Sequence, residues 1–453
     1  MLTVAPRDAG ADPLIADLRA REFARLDAQD LAYLDYGGAA LYADRQVREH
    51  VAQLRRGVFG NPHSENDPSR ASTAALDAAR TAVLSFLDAD PADYTVVFTA
   101  NSSSAIKLVA ESYPFATESR CVLSADNHNS VNGIREYAWR AGADVRYLPL
   151  DADLRLRRDP LPAAPIGAPS LFAFPAQSNF SGVKHPLSWI DDAQRAGYDV
   201  LLDAAAYVPT NTLSLRVRAP SFVALSFYKV FGYPTGVGAL VARRDALARL
   251  RRPWFAGGTV DYASTQTATH QLRASAEAFE DGTPDFLNIG GLAPGFALMS
   301  DVGVARIAAH TARLAAHLVG ALRDLTHGDG SPLTRVYGPA SMDDRGATVA
   351  FNVLDRAGFP LPYAVVEDRA RRCRVALRGG CFCNPGASEF AFGFDASTVT
   401  TCFRTASEEG FTIPRFAACM GRGVAVGAVR ASLGLANNDR DVRRAIDVVA
   451  SFR

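Results

Sequence analysis

The chain has 453 residues, no net charge and no long apolar segment. Lysine plus arginine equals aspartate plus glutamate at 48 each, which removes any electrostatic reason to bind nucleic acid or an anionic membrane. No apolar run approaches the length of a membrane span, and the first residues lack the apolar core of a signal peptide. We therefore expect a cytoplasmic protein whose partners include neither nucleic acid nor a membrane.

Cysteine is also scarce, with six residues in the whole chain. This number, without an export signal, predicts free thiols in a reducing compartment. Cys381 and Cys383 are separated by one residue, and the second pair that a zinc site needs is absent. We expect neither a metal site nor a disulfide here. A buried, unreactive thiol is the ordinary alternative to a nucleophilic role.

The sequence has no internal repeat, low-complexity tract or flexible linker between domains. Short apolar runs alternate instead with helical patterns, and a hydrophobic content of 48% is sufficient for a substantial core. This alternation predicts an α/β fold with a mainly parallel sheet and helices on both faces. The predicted strands are residues 94–98, 121–124, 145–149, 170–174, 199–203, 222–227 and 236–242.

Helical periodicity predicts further elements outside this sheet. We expect one amphipathic helix over residues 12–30 and another over residues 69–87, with Ser69 as its cap. A long helix from Val302 to Leu325 should bridge to a second domain. The expected elements of that domain are strands near residues 334–337, 347–353 and 426–432, followed by a last helix from residue 438.

Lys229 and Asp203 each follow an apolar run that predicts a buried parallel strand. Both should project from the carboxyl ends of neighbouring strands, where open α/β sheets bind ligands. A lysine amine can form a Schiff base with an aldehyde cofactor, and a carboxylate beside a pyridine nitrogen keeps that nitrogen protonated. Taken singly, each residue has an ordinary interpretation that is favoured: Asp203 as a turn residue and Lys229 as a solvated surface group.

A serine-rich turn, Thr99-Ala-Asn-Ser-Ser-Ser-Ala, joins the first predicted strand to a helix. A helix N-terminus offers unpaired backbone N–H groups and the positive end of the helix dipole, and serine hydroxyls add donors. This turn could therefore hold a phosphate. The ordinary alternative is a plain helix cap.

These segments, with others along nearly the whole chain, resemble the fold-type I pyridoxal phosphate (PLP) enzymes of the class V aminotransferase group. Within that group the resemblance is to the cysteine desulfurase-like domain of molybdenum cofactor sulfurases. The further matching segments are Tyr33-Leu-Asp-Tyr-Gly-Gly-Ala-Ala-Leu-Tyr, Gly60-Asn-Pro-His-Ser-Glu-Asn, Tyr94-Thr-Val-Val-Phe-Thr-Ala, Ser178-Asn-Phe-Ser-Gly-Val-Lys, Phe279-Glu-Asp-Gly-Thr-Pro and Gly380-Cys-Phe-Cys-Asn-Pro-Gly.

The resemblance implies a fold-type I PLP-dependent transferase with a seven-stranded sheet and a smaller α+β domain. It divides the chain into an N-terminal helix at 1–30, a large PLP-binding domain at 31–300, and a bridging helix with a small domain at 301–453. Molybdenum cofactor sulfurases carry a further C-terminal domain. The 453 residues do not include a match to it, so the delivery of sulfur to molybdenum cofactor is left open.

The resemblance also assigns roles to residues around the cofactor. Lys229 forms the imine, Asp203 faces the ring nitrogen and His128 stacks on the ring and relays protons. The remaining implied cofactor contacts are phosphate contacts from Ser102, Ser103 and Ser226, a phenolic oxygen contact from Asn179, and a phosphate contact from Thr283 of a partner subunit. The Thr283 match implies a homodimer. For His128 alone, a loop histidine bonded to backbone is the ordinary alternative.

Two residues of the second domain match the family's reactive groups. Cys383 occupies the position of the persulfide-forming cysteine, and Arg430 that of the arginine that binds the substrate's α-carboxylate through two hydrogen bonds. A structural ion pair is the alternative for Arg430. The chain departs from cysteine desulfurases at Tyr228, where histidine is common, and at Ala206, where a polar side chain would contact the ring.

We therefore expect a PLP-dependent cysteine desulfurase that moves sulfur from L-cysteine to Cys383, releases alanine and passes the sulfur to a protein or small-molecule acceptor. A class V-like transaminase, β-lyase, epimerase or cyclase of a specialised pathway, without persulfide chemistry, is the alternative enzyme. A sulfur carrier or scaffold that has lost PLP is the third possibility, and the presence of Lys229, Asp203 and His128 argues against it.

Overall fold

A computed structural model describes residues 12–157, 159, 161–408, 410–421 and 423–453. Its α-helices are α1 Pro13–Glu22, α2 Arg25–Ala28, α3 Asp44–Arg56, α4 Asp67–Phe86, α5 Ser102–Ser112, α6 Asn129–Asn132, α7 Ile134–Arg140, α8 Trp189–Arg195, α9 Phe227–Phe231, α10 Arg244–Leu247, α11 Phe286–Gly290, α12 Ala293–Val302, α13 Val304–Asp324, α14 Tyr363–Arg372, α15 Pro385–Phe392, α16 Ala396–Glu408, α17 Ile413–Met420 and α18 Asp439–Ala450. A short 3₁₀ helix spans Ala276–Phe279.

The strands fall into one large sheet, one smaller sheet and two short pairs. They are β1 Ala32–Tyr33, β2 Tyr94–Thr99, β3 Arg120–Ser124, β4 Asp144–Leu148, β5 Leu171–Pro175, β6 Asp199–Asp203, β7 Phe222–Ser226, β8 Gly238–Arg243, β9 Val260–Ala263, β10 His270–Leu272, β11 Thr334–Val336, β12 Thr348–Val353, β13 Val375–Ala376, β14 Arg378–Gly380 and β15 Ala428–Ser432.

The large sheet has the strand order β2-β8-β7-β6-β5-β3-β4. Strand β8 runs antiparallel to β2 and β7, and the other neighbouring strands are parallel. Alternate residues of one strand enter different cores: Val223 and Leu225 pack on one face, and Phe222 and Ala224 on the other. A strand that is buried on both faces has a continuous run of apolar residues in its sequence, and such runs are the pattern that predicts these strands.

The smaller sheet, β11-β12-β15-β14, is antiparallel. We call this sheet and the elements packed on it the small domain, and the seven-stranded sheet with its helices the large domain. Apolar residues of β12, α13 and α18 form the core of the small domain, and Leu314, Val349 and Val442 are fully buried there. Burying each such side chain contributes roughly 1.5–3 kcal/mol. Ala32 and Leu34 also lie in this core, and β1 pairs with β13, so the chain enters the large domain through a segment packed against the small one.

The α/β fold predicted from the sequence is confirmed, and every predicted strand has a counterpart within two residues. Two helix predictions are wrong in detail. The helix expected over residues 12–30 is broken into α1 and α2, because Phe23 turns into the core between them and is 1% exposed. The cap of α4 is Asn66, whose Oδ1 accepts the Ser69 N–H at 3.0 Å, so Ser69 is not the cap.

The expectation of six free thiols is wrong for two of them. Cys402 and Cys419 form a disulfide that joins α16 to α17 across 17 residues of sequence. Cys121, Cys373 and the pair in the 381–383 loop are free. The sequence pattern missed this pairing because a single bridge in a long chain leaves no framework of regular cysteine spacings.

Among the described residues, no individual helix combines the length and the apolar character needed to cross a membrane. A pair formed by residues Phe286–Val302 and Val304–Asp324 meets those requirements only when taken together, and it is bent by 71°.

The disulfide can be tested by counting thiols. We expect iodoacetamide to alkylate four cysteines of the denatured, unreduced protein, and six after reduction. The double variant Cys402→Ser/Cys419→Ser should lose roughly 3 kcal/mol of unfolding free energy, because the unfolded chain is no longer cross-linked. Six reactive thiols before reduction would contradict the pairing, and Cys373→Ser serves as a control for cysteine removal in denaturant unfolding.

Candidate active site

The candidate site lies at the carboxyl ends of β6 and β7, which are parallel neighbours with Asp203 opposite Ala224. Asp203 is the last residue of β6, and α9 follows β7 directly and carries Lys229. The strand-end position predicted for both residues is therefore what the fold produces. Ligands of open α/β sheets bind at this edge.

A cavity of about 130 Å³ opens between these strand ends and the surrounding loops. Seven of the ten residues singled out from the sequence line it, namely Ser102, Ser103, His128, Asn179, Asp203, Ser226 and Lys229. Arg430, Cys383 and Thr283 do not. The two departures from the desulfurase pattern, Tyr228 and Ala206, also line the cavity.

The serine-rich turn forms the N-terminus of α5. Asn101 caps this helix, because its Oδ1 accepts the Ser104 N–H at 3.0 Å. The turn therefore does cap the helix, through Asn101 and not through one of its serines. Ser226 Oγ accepts the Ser102 N–H at 2.8 Å and donates to Ser102 Oγ at 3.0 Å, which joins β7 to the helix. Hydroxyl groups from two elements thus converge at the positive end of a helix dipole.

His128 is held by the first turn of α6. Its Nδ1 accepts the Ser130 N–H at 3.1 Å, so in the neutral ring the proton is on Nε2. Ser130 Oγ lies 3.0 Å from this Nδ1 and 2.6 Å from Ser103 Oγ, linking the histidine to the serine turn. Burial lowers the pKa of His128, and the nearby Lys229 lowers it further. The imidazole is therefore neutral near pH 7.

Lys229 is buried beside Asp203 at the base of the cavity. Burial lowers the pKa of the Lys229 amine, the Asp203 carboxylate opposes that shift, and the Arg430 charge adds to it. Asp203 Oδ1 accepts the Ala205 N–H at 3.0 Å, which fixes the carboxylate over the turn after β6. A lysine with a lowered pKa is more often in its nucleophilic neutral form.

Arg430 lies on β15, almost fully buried, and the ion pair kept open as an alternative is present. Its Nη2 donates to Asp35 at 3.3 Å, and its Nη1 donates to the Asn179 carbonyl at 2.8 Å. Arg378 binds both oxygens of the same carboxylate at 2.6 to 3.1 Å. One acid therefore serves two guanidinium groups, and the Nε of Arg430 has no hydrogen-bond partner in the described structure.

Cys383 lies on the loop between β14 and α15, where its side chain is exposed. Phe382 and Cys383 both have left-handed backbone conformations, with φ of 55° and 57°. Such residues cost of order 1–3 kcal/mol each and persist only where their surroundings hold them. Here the Asn129 N–H donates to the Cys383 carbonyl at 2.7 Å, which fastens the loop to the turn that carries His128.

Thr283 lies away from the cavity, on an exposed loop. Its Oγ accepts from Asn61 Nδ2 at 3.3 Å, and it borders a separate hollow that also includes Thr99. It is therefore not among the residues that line the cavity of its own chain.

Sequence reasoning missed several residues that shape the site. Gln177 lines the cavity and is 4% exposed, and Ser130 links His128 to Ser103. Asp126 is fully buried and bonds the His185 ring at 2.7 Å. The signal that could have found Ser130 is its position two residues after a histidine at a predicted helix start. Asp126 and His185, 59 residues apart, left no such local signal.

The lowered pKa of Lys229 predicts the pH profile of its labelling. The chain has three lysines, and the Glu111 hydrogen bond raises the pKa of Lys107, which is the internal control. In cofactor-free protein, competitive acetylation should give Lys229 a pH midpoint below the usual value of about 10.4 and Lys107 one above it. Asp203→Asn should lower the Lys229 midpoint further, because the carboxylate raises it. Equal midpoints for both lysines would contradict this account.

The family described as Aminotransferase class-V matches residues 32–445. The molybdenum cofactor sulfurase of Homo sapiens is 34% identical over 462 residues, covering 97% of this chain and 51% of that protein. Molybdenum cofactor sulfurase 2 of Culex quinquefasciatus is 37% identical, covering 95% and 57%. The chain thus spans about half the length of the curated relatives it matches.

Among solved structures, the apo cysteine desulfurase of Thermococcus onnurineus NA1 has a TM-score of 0.79 at 22% identity, covering 98% of this chain and 99% of that one. This likeness confirms the predicted fold-type I architecture. The match of the family over residues 32–445 confirms the resemblance found in the sequence segments. The chain belongs to the class V aminotransferase family.

Proposed function

We propose that this protein is a PLP-dependent cysteine desulfurase that transfers sulfur from L-cysteine to Cys383. The observation that carries the proposal is the convergence of Lys229, Asp203 and His128 on one cavity, with the Cys383 loop fastened to the histidine's own turn. An amine, a carboxylate and an imidazole in this arrangement are the groups that such chemistry needs.

The groups around the cavity fit PLP. Asp203 would face the pyridine nitrogen and keep it protonated, while the serine hydroxyls at the α5 N-terminus would hold the phosphate. His128 would lie against the ring and Asn179 would donate to the phenolic oxygen. When bound, the cofactor would supply an electron sink for the substrate's Cα.

Arg430 supports the choice of an amino acid substrate. Its guanidinium is buried, and its neighbour Asp35 is already bound on both oxygens by Arg378. Burial lowers the pKa of Arg430, which indicates a charge that lacks full compensation. A substrate α-carboxylate would supply the missing negative charge through two parallel hydrogen bonds.

The chain's own groups would then move the proton and the sulfur. The neutral Lys229 Nζ would accept the substrate's α-proton, and the Arg430 side chain would hold the carboxylate. The Cys383 thiolate would attack the substrate sulfur. The carbon–sulfur bond breaks, its electron pair stays on the carbon, which takes up a proton, and alanine leaves while Cys383 keeps the sulfur as a persulfide. No external oxidant or reductant is required.

The exposed position of Cys383 supports passage of the sulfur to an acceptor protein or small molecule. Molybdenum cofactor is one candidate, since the relatives are named for it. The proposed cytoplasmic location agrees with a reactive thiol on the surface, whereas the Cys402–Cys419 disulfide is more typical of oxidising compartments.

We also propose a homodimer with shared active sites. Thr283 is exposed and is not among the residues that line the cavity of its own chain, which agrees with a phosphate contact made in another subunit. The family resemblance assigns it that contact.

The role of Cys383 can be tested with matched serine variants. Cys383→Ser should retain PLP but lose alanine production from L-cysteine by on the order of 10³-fold, because a hydroxyl does not accept the sulfur. Cys381→Ser, two residues away, should remain within a few-fold of wild type. The measurements are alanine release and mass spectrometry of the persulfidated peptide. An active Cys383→Ser would instead favour a class V-like transaminase, β-lyase, epimerase or cyclase.

The dimer proposal is tested at Thr283. Thr283→Val should weaken PLP binding roughly tenfold, because a hydrogen bond to a charged phosphate is lost. Thr267→Val, on the exposed β9–β10 hairpin, is the matched control. PLP titration and light scattering give the affinity and the mass. A fully loaded monomer would refute the shared site.

A further inference from the structure

The loop that carries Cys383 is fastened to the large domain through the residue that follows it. Asn384 is fully buried and caps α15, since its Oδ1 accepts the Ala387 N–H at 3.1 Å. Because a helix N-terminus presents only donors, this contact fixes which end of the Asn384 amide is oxygen and which is nitrogen. Its Nδ2 therefore points away from the helix, toward acceptors of the large domain.

Those acceptors belong to Asp126 and Asn179. The Asn384 Nδ2 donates to the Asp126 carboxylate at 2.8 Å and to the Asn179 Oδ1 at 3.0 Å. Asp126 is held in turn by Ser178 Oγ and the His185 ring, each at 2.7 Å. The carboxylate and its partners lie in the protein interior, and a buried polar network tolerates no unpaired member without cost.

The fixed orientation of the Asn384 amide also fixes the orientation of the Asn179 amide. Its Oδ1 is occupied by Asn384, and its Nδ2 donates one hydrogen to the Phe382 carbonyl at 2.6 Å. An amide nitrogen has two hydrogens, and within the described structure the second has no other protein acceptor. Asn179 lines the cavity, so its amide can offer a ligand there an N–H donor, while its Oδ1 already accepts from Asn384.

The same segment sits against the turn that carries His128. A Cβ on Gly386 would lie 2.0 Å from the Ala125 carbonyl oxygen, so only glycine permits this approach of α15. With the Asn129 N–H bound to the Cys383 carbonyl, the loop and the turn form one unit. Asn384 is the member of this unit that also contacts Asn179.

We propose that Asn384 is a positioning residue with two roles. It holds the strained Cys383 loop on the large domain, and it fixes the Asn179 amide so that an N–H faces the phenolic oxygen of a bound PLP. The inference rests on the proposed function for the identity of that ligand. It couples the sulfur-accepting loop to the electronic state of the cofactor through one buried side chain.

The test uses Asn384→Ser, because serine caps a helix as asparagine does but has no amide to donate. In PLP-loaded protein without substrate, we expect the pH midpoint of the visible cofactor absorbance to rise by about one unit, a tenfold change in proton affinity. Loss of the donor leaves more negative charge on the phenolic oxygen, which holds the neighbouring proton more tightly. Asn66→Ser, the same change at the cap of α4, should leave the midpoint unchanged.

A double-variant cycle separates positioning from general loosening. In an Asn179→Ala background, Asn384→Ser should produce no further shift, because both changes remove one donor. An unchanged midpoint in Asn384→Ser, or an equal shift in both backgrounds, would overturn the coupling.

Hydrogen exchange of cofactor-free protein measures the opening of the loop directly. Peptides covering residues 125–132 and 380–388 should exchange roughly tenfold faster in Asn384→Ser than in wild type, as opening becomes easier. Unchanged exchange would overturn the anchoring role. Neither measurement uses L-cysteine. Absence of alanine production from L-cysteine would therefore refute the proposed function, while the absorbance and hydrogen-exchange measurements would still test the role of Asn384.

Discussion

Asp35 faces two guanidinium groups, and it cannot neutralise both. Arg378 takes both carboxylate oxygens at 2.6 to 3.1 Å, while Arg430 has one contact at 3.3 Å. Arg430 is nevertheless the more buried of the two, with a side chain 3% exposed. It is held in place by the Asn179 carbonyl and by the face of the Phe382 ring, 4.7 Å from its Cζ. A cation in such surroundings is stable only because neighbouring dipoles and a shared acid surround it.

This residual positive charge acts on the titratable groups of the cavity. Burial is the main cause of the lowered pKa values of Lys229 and His128, and the Arg430 charge lowers both further. Both groups are then more often neutral near pH 7 and able to accept a proton. If a substrate carboxylate neutralises Arg430, that part of the shift is lifted and both groups bind protons more readily. Under the proposed function, substrate binding would thus raise the basicity of Lys229 when the α-proton is to be removed.

The sequence predicted what local patterns encode. The buried strands appear as apolar runs, and the positions of Lys229 and Asp203 at strand ends follow from those runs. Contacts between residues far apart in the sequence could not be predicted from these local patterns. Asp35 and Arg430 are 395 residues apart, and Asn384 meets Asp126 across 258, so no spacing rule connects them. The disulfide and the break after α1 depend likewise on tertiary packing that periodicity does not report.

The contrast between Lys229 and Cys383 explains why the loop needs an anchor of its own. Lys229 follows a central strand directly, so the sheet core fixes its backbone. Under the proposed function Cys383 stays exposed so that it can pass sulfur onward, and exposure removes the apolar burial that would otherwise hold it. The loop is also strained, since two successive residues adopt left-handed conformations. The hydrogen bonds of the next residue, Asn384, hold the loop instead, because they fix the backbone beside Cys383 without covering its thiol.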